Sequence, residues 1–200
     1  MDDTFQFRNR TETELKSRQR GLEEFAEVLE RLGARYFLAD GALLGAVRNG
    51  DFIPWDDDVG IWMKAEDFRI LVTAITAEIE SSGFHVTQGH RRNPKLNIYM
   101  YGEKFELESW RRRGTWRVRW GLKIPAHLLD NPGQIQLRGR FYPCPNPHEE
   151  FLEHRYGEDW KTPIVGRGTH AVKSKTEWSL LKKRIRQQTP EWVLKVLGKQ

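Results

Sequence analysis

Residues 38–62 read LADGALLGAVRNGDFIPWDDDVGIW, and the order of patterns within this stretch decides which fold to expect. Residues 41–49 form a short helical or turn segment that ends at an Asn-Gly dipeptide, which is typical of turns. A loop with one proline follows, and the apolar residues 59–63 then predict a buried strand. Three consecutive aspartates, residues 56–58, lie between the loop and this strand.

The aspartates Asp56, Asp57 and Asp58 are the longest acidic run in the chain. Adjacent like charges repel, so such a cluster is unfavourable unless solvent or a cation neutralises it. In an extended segment Asp56 and Asp58 point to the same side, an arrangement that suits Mg²⁺ or Mn²⁺ bound together with phosphate oxygens. A solvated acidic turn is the alternative that the cluster alone leaves open.

Patterns typical of helices and of strands are mixed on both sides of this stretch. A first helix is predicted from a cap at Thr11 or Thr13 to a stop at Gly33, and a second over residues 66–81. Hairpin-linked strands in the middle of the chain favour an α+β fold over a parallel doubly wound sheet. The other predicted elements are strands at residues 35–39, 84–88, 96–101, 104–110, 115–123 and 136–141 and a helix at residues 147–156.

The composition predicts a soluble globular protein. Of the 200 residues, 38% are hydrophobic and 30% are charged. No window approaches the roughly 18 consecutive apolar residues of a membrane span. The polar first residues lack the apolar core of a signal peptide, and Cys144 is the single cysteine. An intramolecular disulfide is therefore excluded, a cysteine-based zinc site is not expected, and the expected compartment is the cytoplasm.

The excess positive charge is concentrated near the end of the chain. Residues 170–200 contain eight Lys or Arg and two acids, which leaves a charge of −1 on residues 1–169. We therefore expect one domain over residues 1–169 and a basic, amphipathic helical tail over residues 170–200. This pattern predicts that the tail makes a peripheral contact with the anionic surface at the inner face of the membrane. Docking of the tail onto the domain is the alternative.

Two motifs within residues 20–165 resemble the LicD family, which includes fukutin and fukutin-related protein. The first combines Gly-Ala-Leu-Leu-Gly-Ala-Val-Arg at residues 41–48 with Ile-Pro-Trp-Asp-Asp-Asp at residues 53–58. The second is a proline step at residues 143–147, a Leu-containing helix, and Tyr-Gly-Glu-Asp-Trp-Lys-Thr-Pro at residues 156–163. Two long motifs in the family's order are more specific than an isolated Asp-x-Asp.

The resemblance implies a nucleotidyltransferase-like fold, a mixed sheet flanked by helices, and a Mg²⁺-dependent phosphotransferase. Such an enzyme moves phosphocholine or a phosphopolyol from a CDP-linked donor to a hydroxyl of a glycan or lipid-linked sugar, as in the biosynthesis of cell-surface polysaccharides. Asp56 and Asp58 would be the catalytic metal ligands. The backbone at Gly41 and Ala42, together with Arg48, would contact the donor phosphates. A structural salt bridge at Arg48 is the alternative.

Position 60 departs from the family pattern, in which an aspartate commonly follows the hydrophobic residue. Aligned without a gap, Gly60 replaces a metal ligand. That alignment favours a catalytically degenerate domain that binds a glycan or regulates a partner glycosyltransferase. If the loop is instead two residues shorter, Asp56 and Asp58 are the complete pair.

The neighbouring predicted strand offers two more carboxylates. Glu106 and Glu108 lie roughly 7 Å apart on one strand face. Because nucleotidyltransferase-like folds often supply a further carboxylate from a neighbouring strand, either residue is a candidate additional metal ligand. A salt-bridged face is the alternative, since a hairpin turn at Arg113-Gly114 would place Glu108 opposite Arg119.

Arginines interleave with tryptophans between residues 110 and 120, which is compatible with binding of single-stranded RNA. The nearly neutral body of the chain opposes this interpretation, and we expect no nucleic-acid partner. Trp116, Val118 and Trp120 alternate along the sequence and are predicted to face the core.

Overall fold

The computed structural model describes residues 8–89 and 94–163, so the expected tail at residues 170–200 lies outside the described residues. Within these ranges no helix is long and apolar enough to cross a membrane. The helices are α1 (Glu12–Arg31), α2 (Asp40–Asn49), α3 (Ala65–Ser81), α4 (His127–Asp130) and α5 (His148–Tyr156). The strands are β1 (Tyr36–Leu38), β2 (Val59–Lys64), β3 (His85–Gln88), β4 (Lys95–Met100), β5 (Glu103–Arg113), β6 (Trp116–Arg119), β7 (Leu122–Pro125), β8 (Gly133–Leu137) and β9 (Arg140–Cys144).

The start of α1 follows from its sequence. The Thr11 side chain accepts a hydrogen bond from the backbone N–H of Glu14, and the Glu14 side chain accepts one from the backbone N–H of Thr11. This reciprocal capping satisfies two of the backbone donors that a helix leaves unpaired at its N-terminus. The predicted cap at Thr11 is therefore confirmed, and Thr13 lies inside the helix.

Seven strands form one mixed sheet, in the order β1-β2-β5-β4-β3, with β6 paired to β5 and β7 paired to β6. β2 and β5 are parallel, and the other pairs are antiparallel. In the parallel register Gly60 lies opposite Glu106 and Trp62 opposite Glu108. The strand that follows the acidic loop therefore lies directly beside the strand that contains the two candidate glutamates.

Side chains alternate between the two faces of the sheet along each strand. Each face packs against a different set of helices. Val59, Ile61 and Met63 of β2 belong to a core that also contains apolar residues of α1 and α3. Trp62 faces the opposite way and stacks on Trp110 with ring centroids 3.9 Å apart, in a second core with α2 and α5. The register places Glu106 and Glu108 on the Trp62 face.

Two strands predicted from the sequence are hairpins instead. Residues 115–123 divide into β6 and β7 at Trp120-Gly121, where φ is 48° and 76°. Residues 136–141 span the turn between β8 and β9 at Arg138-Gly139, where φ is 46° and 91°. Two successive residues with positive φ make the tight turn whose twist matches paired antiparallel strands. Because the first residue of each pair is bulky, and bulky residues rarely adopt a positive φ, the sequence did not indicate either turn.

The prediction that Trp116, Val118 and Trp120 face the core is wrong. Trp120 is 76% exposed, whereas Arg117 and Arg119 are only 3% and 8% exposed. The arginines face inward because each has an acidic partner there: Arg117 donates to Glu66 at 2.9 and 3.0 Å, and Arg119 lies 3.3 Å from Glu108.

The predicted hairpin register is also wrong. Arg113 pairs with Trp116, so the turn is at residues 114–115 rather than at Arg113-Gly114. The ion pair between Glu108 and Arg119 nevertheless forms.

Candidate active site

The Asp56 carboxylate packs directly against the backbone of Gly41. A Cβ placed on Gly41 would lie 1.7 Å from Asp56 Oδ2 and 2.8 Å from its Cγ, far inside van der Waals contact. Only glycine allows this approach. The first turn of α2 and the acidic loop therefore form one continuous surface, as the family resemblance leads us to expect for a donor site.

The three aspartates of the loop have the geometry of a donor set for a divalent cation. One carboxylate oxygen from each of Asp56, Asp57 and Asp58 lies within 4.8 Å of the others. Asp57 is exposed, whereas Asp56 and Asp58 are half-buried. Hard carboxylate oxygens at this spacing suit Mg²⁺ or Mn²⁺. The residues present therefore fit such a cation, and the assignment of Asp56 and Asp58 as its ligands stays a prediction.

The protonation of Asp58 depends on its surroundings. Burial raises the pKa of Asp58 to about 8, and the negative charges of Glu106, Asp56 and Asp57 act in the same direction. The ammonium of Lys104, 3.8 Å from Asp58 Oδ2, opposes them. A cation at this loop would favour the ionised form, so protons and cations compete for Asp58.

Glu106 lies on the same face of the sheet and is held by two lysines. Lys95 Nζ donates to one carboxylate oxygen at 2.6 Å, and Lys104 donates to the other. Burial alone would raise the pKa of Glu106, but the two lysine hydrogen bonds and charges outweigh it and lower the pKa. Glu106 is therefore ionised in this arrangement, and each of its oxygens already accepts a hydrogen bond from a lysine.

Glu108 lies one pleat further along β5, away from the acidic loop. Burial raises its pKa to about 7, the charge of Asp40 adds to this effect, and Arg119 opposes it. Glu108 thus interacts with Asp40 and with Arg119, which lies 3.3 Å away, and its assignment as an additional metal ligand stays a prediction.

A buried ion pair that the sequence did not indicate anchors the start of α2. The carboxylate of Asp40, where φ is 49°, accepts hydrogen bonds from Arg155 Nε at 2.7 Å and from Trp62 Nε1 at 2.8 Å. These three residues come from α2, α5 and β2. Nothing local in the sequence signals a pair separated by 115 positions. The contact fixes the helix turn that contains Gly41 and Ala42.

That first turn of α2 lacks a side-chain cap, because the residue at the cap position, Ala39, makes no side-chain hydrogen bond. The first backbone N–H groups of a helix have no partner within the helix and favour anions. Gly41 and Ala42 lie in this turn and are buried, and their contact with donor phosphates stays a prediction.

Space for a side chain at position 60 is tight. A Cβ there would meet the Cβ of Asp40 at 3.1 Å and the carbonyl oxygen of Ala39 at 3.3 Å. An aspartate here would require these neighbours to move by a few tenths of an ångström. The geometry favours the alignment in which Asp56 and Asp58 form the pair.

Arg48 lies at the other end of α2 from Gly41. With a helix rise of 1.5 Å per residue, the two residues are about 10 Å apart along the axis. Its guanidinium donates to the backbone carbonyls of Trp160 and Thr162. The structure therefore does not bring Arg48 to the acidic loop, and its expected contact with a donor phosphate stays a prediction.

Comparison with known families and proteins finds one family. The model described as "LicD/FKTN/FKRP, nucleotidyltransferase domain" matches residues 33–147. The mouse protein named ribitol 5-phosphate transferase FKRP is 28% identical over 146 residues, 65% of this chain and 29% of that protein. The lipopolysaccharide cholinephosphotransferase LicD of Haemophilus influenzae is 39% identical over 51 residues, 26% of this chain and 19% of that protein. The chain thus spans less than a third of the length of these relatives.

A solved structure shares the fold. ANT(2")-Ia in complex with adenylyl-2"-tobramycin superposes with a TM-score of 0.52 at 14% sequence identity, covering 84% of this chain and 97% of that one. At this identity the likeness concerns the fold alone. Together with the mixed sheet and its flanking helices, it confirms the expected nucleotidyltransferase-like α+β fold.

Proposed function

The chain belongs to the LicD/FKTN/FKRP nucleotidyltransferase-domain family, whose model covers more than half of it, and from this premise we propose that it is a phosphotransferase. The observation that carries the proposal is the contact between Asp56 and Gly41, which joins a carboxylate pair to an uncapped helix N-terminus. Relatives named as transferases of ribitol phosphate and of phosphocholine support the reaction class.

The donor in this proposal is a CDP-linked alcohol, and the transferred group is phosphocholine or a phosphopolyol. Its diphosphate would lie between the first turn of α2 and the acidic loop. Backbone N–H groups at Gly41 and Ala42 would bind phosphate oxygens there, since glycine permits close approach and the uncapped helix N-terminus favours anions. Arg48 lies about 10 Å along α2 from Gly41, and a binding experiment tests whether it contacts the donor at all.

Asp56 and Asp58 would hold Mg²⁺ or Mn²⁺, with Glu106 or Glu108 as an additional ligand. When bound, such a cation supplies positive charge to the diphosphate and to the departing cytidine monophosphate. Lys104 already lies between Asp58 and Glu106, with its side chain 31% exposed, and supplies a second positive charge at the site. By holding the cation, these carboxylates would fix the position of the donor diphosphate for in-line attack.

The acceptor in this proposal is a glycan or lipid-linked sugar. Its hydroxyl oxygen forms a bond to the phosphorus that bears the alcohol, the bond from that phosphorus to the bridging oxygen of the diphosphate breaks, and cytidine monophosphate leaves with that oxygen. The hydroxyl proton passes to solvent or to a base. We further propose that the protein acts in the cytoplasm, in the synthesis of surface polysaccharides. Residues 170–200 would contact the inner face of the membrane.

The experiment is a transfer assay with CDP-choline and CDP-ribitol, Mg²⁺ or Mn²⁺, and a panel of sugar acceptors. Release of cytidine monophosphate is the readout. We expect Asp58→Asn to abolish release and the exposed Asp57→Asn, which differs by the same chemical change one residue away, to retain most of it. Equal rates for Asp58→Asn and the unmodified chain would overturn the assignment.

A further inference from the structure

Backbone carbonyls of the acidic loop accept hydrogen bonds from two arginines. Arg10, just before α1, donates from its backbone N–H to the carbonyl of Pro54 at 2.9 Å. Its guanidinium donates to the carbonyl oxygens of Asp56 and, at 3.4 Å, of Asp57. One side chain therefore bonds two successive peptide groups of the loop.

A second arginine, from within α1, reaches the end of the same loop. Arg18 Nη1 donates to the carbonyl of Asp58 at 3.5 Å, and its guanidinium lies over the ring of Phe52 at 5.7 Å from the centroid. Arg18 is 0% exposed. A buried guanidinium is costly without an anionic partner, so its position depends on one.

Glu103 is the partner that both arginines share. Its carboxylate accepts from Arg10 Nε at 2.9 and 3.0 Å and from Arg18 Nε at 2.7 Å, and Arg18 Nη2 lies 2.6 Å from the same oxygen. Glu103 is 6% exposed. Charge-assisted bonds of this length in a buried setting fix direction as well as distance.

The position of Glu103 is set by elements outside the loop. It is the first residue of β5, directly after the tight turn at Tyr101-Gly102, where φ is 53° and 78°. The hydroxyl of Tyr101 donates to the carboxylate of Glu24 in α1 at 2.8 and 2.9 Å. The hairpin end is thereby tied to the helix that contains Arg18.

The loop is therefore fixed on two sides. Its carbonyls meet Arg10 and Arg18, while Asp56 packs on Gly41 and Asp58 lies 3.8 Å from Lys104. Two guanidinium groups and one carboxylate leave one net positive charge behind three aspartates. This charge offsets part of their mutual repulsion.

We propose that Glu103 is a positioning residue, which holds Arg10 and Arg18 against the loop carbonyls and so presents the Asp56 and Asp58 carboxylates to a divalent cation. The proposal rests on the proposed function only in assigning the cation to these aspartates. Residues that orient metal ligands typically change metal affinity about 10- to 100-fold when substituted.

The test measures binding of Mn²⁺ alone to the full chain by electron paramagnetic resonance, together with hydrogen exchange of amides 55–59 in metal-free protein. Glu103→Gln removes the shared carboxylate but leaves Arg18 buried without an anionic partner. It is therefore paired with Arg10→Gln, which keeps the Arg18–Glu103 contact. Arg140→Gln is the matched control, because Arg140 also bonds acids of α1 but far along the helix, at Glu27 and Glu30.

For Arg10→Gln we expect Mn²⁺ affinity about tenfold weaker and faster exchange of the loop amides, with both readouts unchanged for Arg140→Gln. Unchanged Mn²⁺ affinity and unchanged exchange in Arg10→Gln would overturn the proposal and leave a purely structural ion pair. If the unmodified chain binds no Mn²⁺, the proposed function fails separately, and loop exchange alone then decides whether Glu103 and the arginines position the loop.

Discussion

The Asp56 carboxylate occupies the space that a side chain at Gly41 would need, with Oδ2 only 1.7 Å from the position of a Cβ there. Two segments fifteen positions apart therefore constrain each other. The glycine permits the helix turn and the acidic loop to meet, and a side chain at position 41 would have to displace the Asp56 carboxylate.

Gly41→Ala should displace the Asp56 carboxylate and weaken Mn²⁺ binding by at least about tenfold, on the scale of other changes that misplace metal ligands. Calorimetric titration of the folded variant measures this affinity. Gly133→Ala is the matched control, because its Cβ would meet Asn146 at an ordinary 3.4 Å. Wild-type affinity in Gly41→Ala would show that the carboxylate position is immaterial.

The raised pKa of Asp58 leads us to expect that the stability of the metal-free protein depends on pH. Burial raises its pKa from 3.8 to about 8, so the folded chain keeps a proton that the unfolded chain has lost. The unfolding free energy should therefore fall as pH rises from about 4 to about 8. Between pH 6 and pH 8 the fall should exceed that of Asp58→Asn by roughly 2 kcal/mol. Denaturant unfolding at both pH values measures it, and parallel pH dependences would contradict the assignment.

Removal of one partner of the buried Asp40–Arg155 pair should strongly destabilise the fold. Both side chains are buried, so Arg155→Ala leaves a carboxylate without its cation and should cost about 3–5 kcal/mol. Urea unfolding provides the measurement. Arg112→Ala breaks an ion pair with Asp130 whose arginine side chain is 49% exposed, and it should cost less than about 1 kcal/mol. Similar losses in the two variants would be inconsistent with this account.

Arg48→Ala separates the two roles open to this residue. Because its guanidinium donates to the carbonyls of Trp160 and Thr162, we expect a loss of about 1–3 kcal/mol in unfolding free energy. The distance from Gly41 along α2 leads us to expect unchanged affinity for CDP. A drop in CDP affinity in the folded variant would instead support the contact with a donor phosphate predicted from the sequence.

The fold was predictable where local patterns determine structure. The cap at Thr11, the apolar spacing of α1 and α3, and the turn before the acidic loop all have a local cause. For that reason the α+β class and the order of the main elements follow from the sequence.

The features that needed long-range contacts were not predictable. Alternation along β6 shows which residues share a face but not which face is inside. The ion pairs of Arg117 with Glu66 and of Arg119 with Glu108 decide that the arginines point inward. Glu103 likewise has no local motif. Its role depends on α1, the hairpin end and the loop meeting in space.

In the proposed function Asp56 and Asp58 form a metal-dependent site for a cytidine nucleotide. Thermal unfolding with CDP and Mn²⁺, together and separately, measures this binding, with ADP and GDP as nucleotide controls and Asp56→Ala and Asp58→Ala as variants. At about 100 times the dissociation constant, CDP with metal should add about 2.7 kcal/mol of stability, and either substitution should remove this gain. No shift at millimolar CDP and metal would contradict the claim and favour a catalytically degenerate domain.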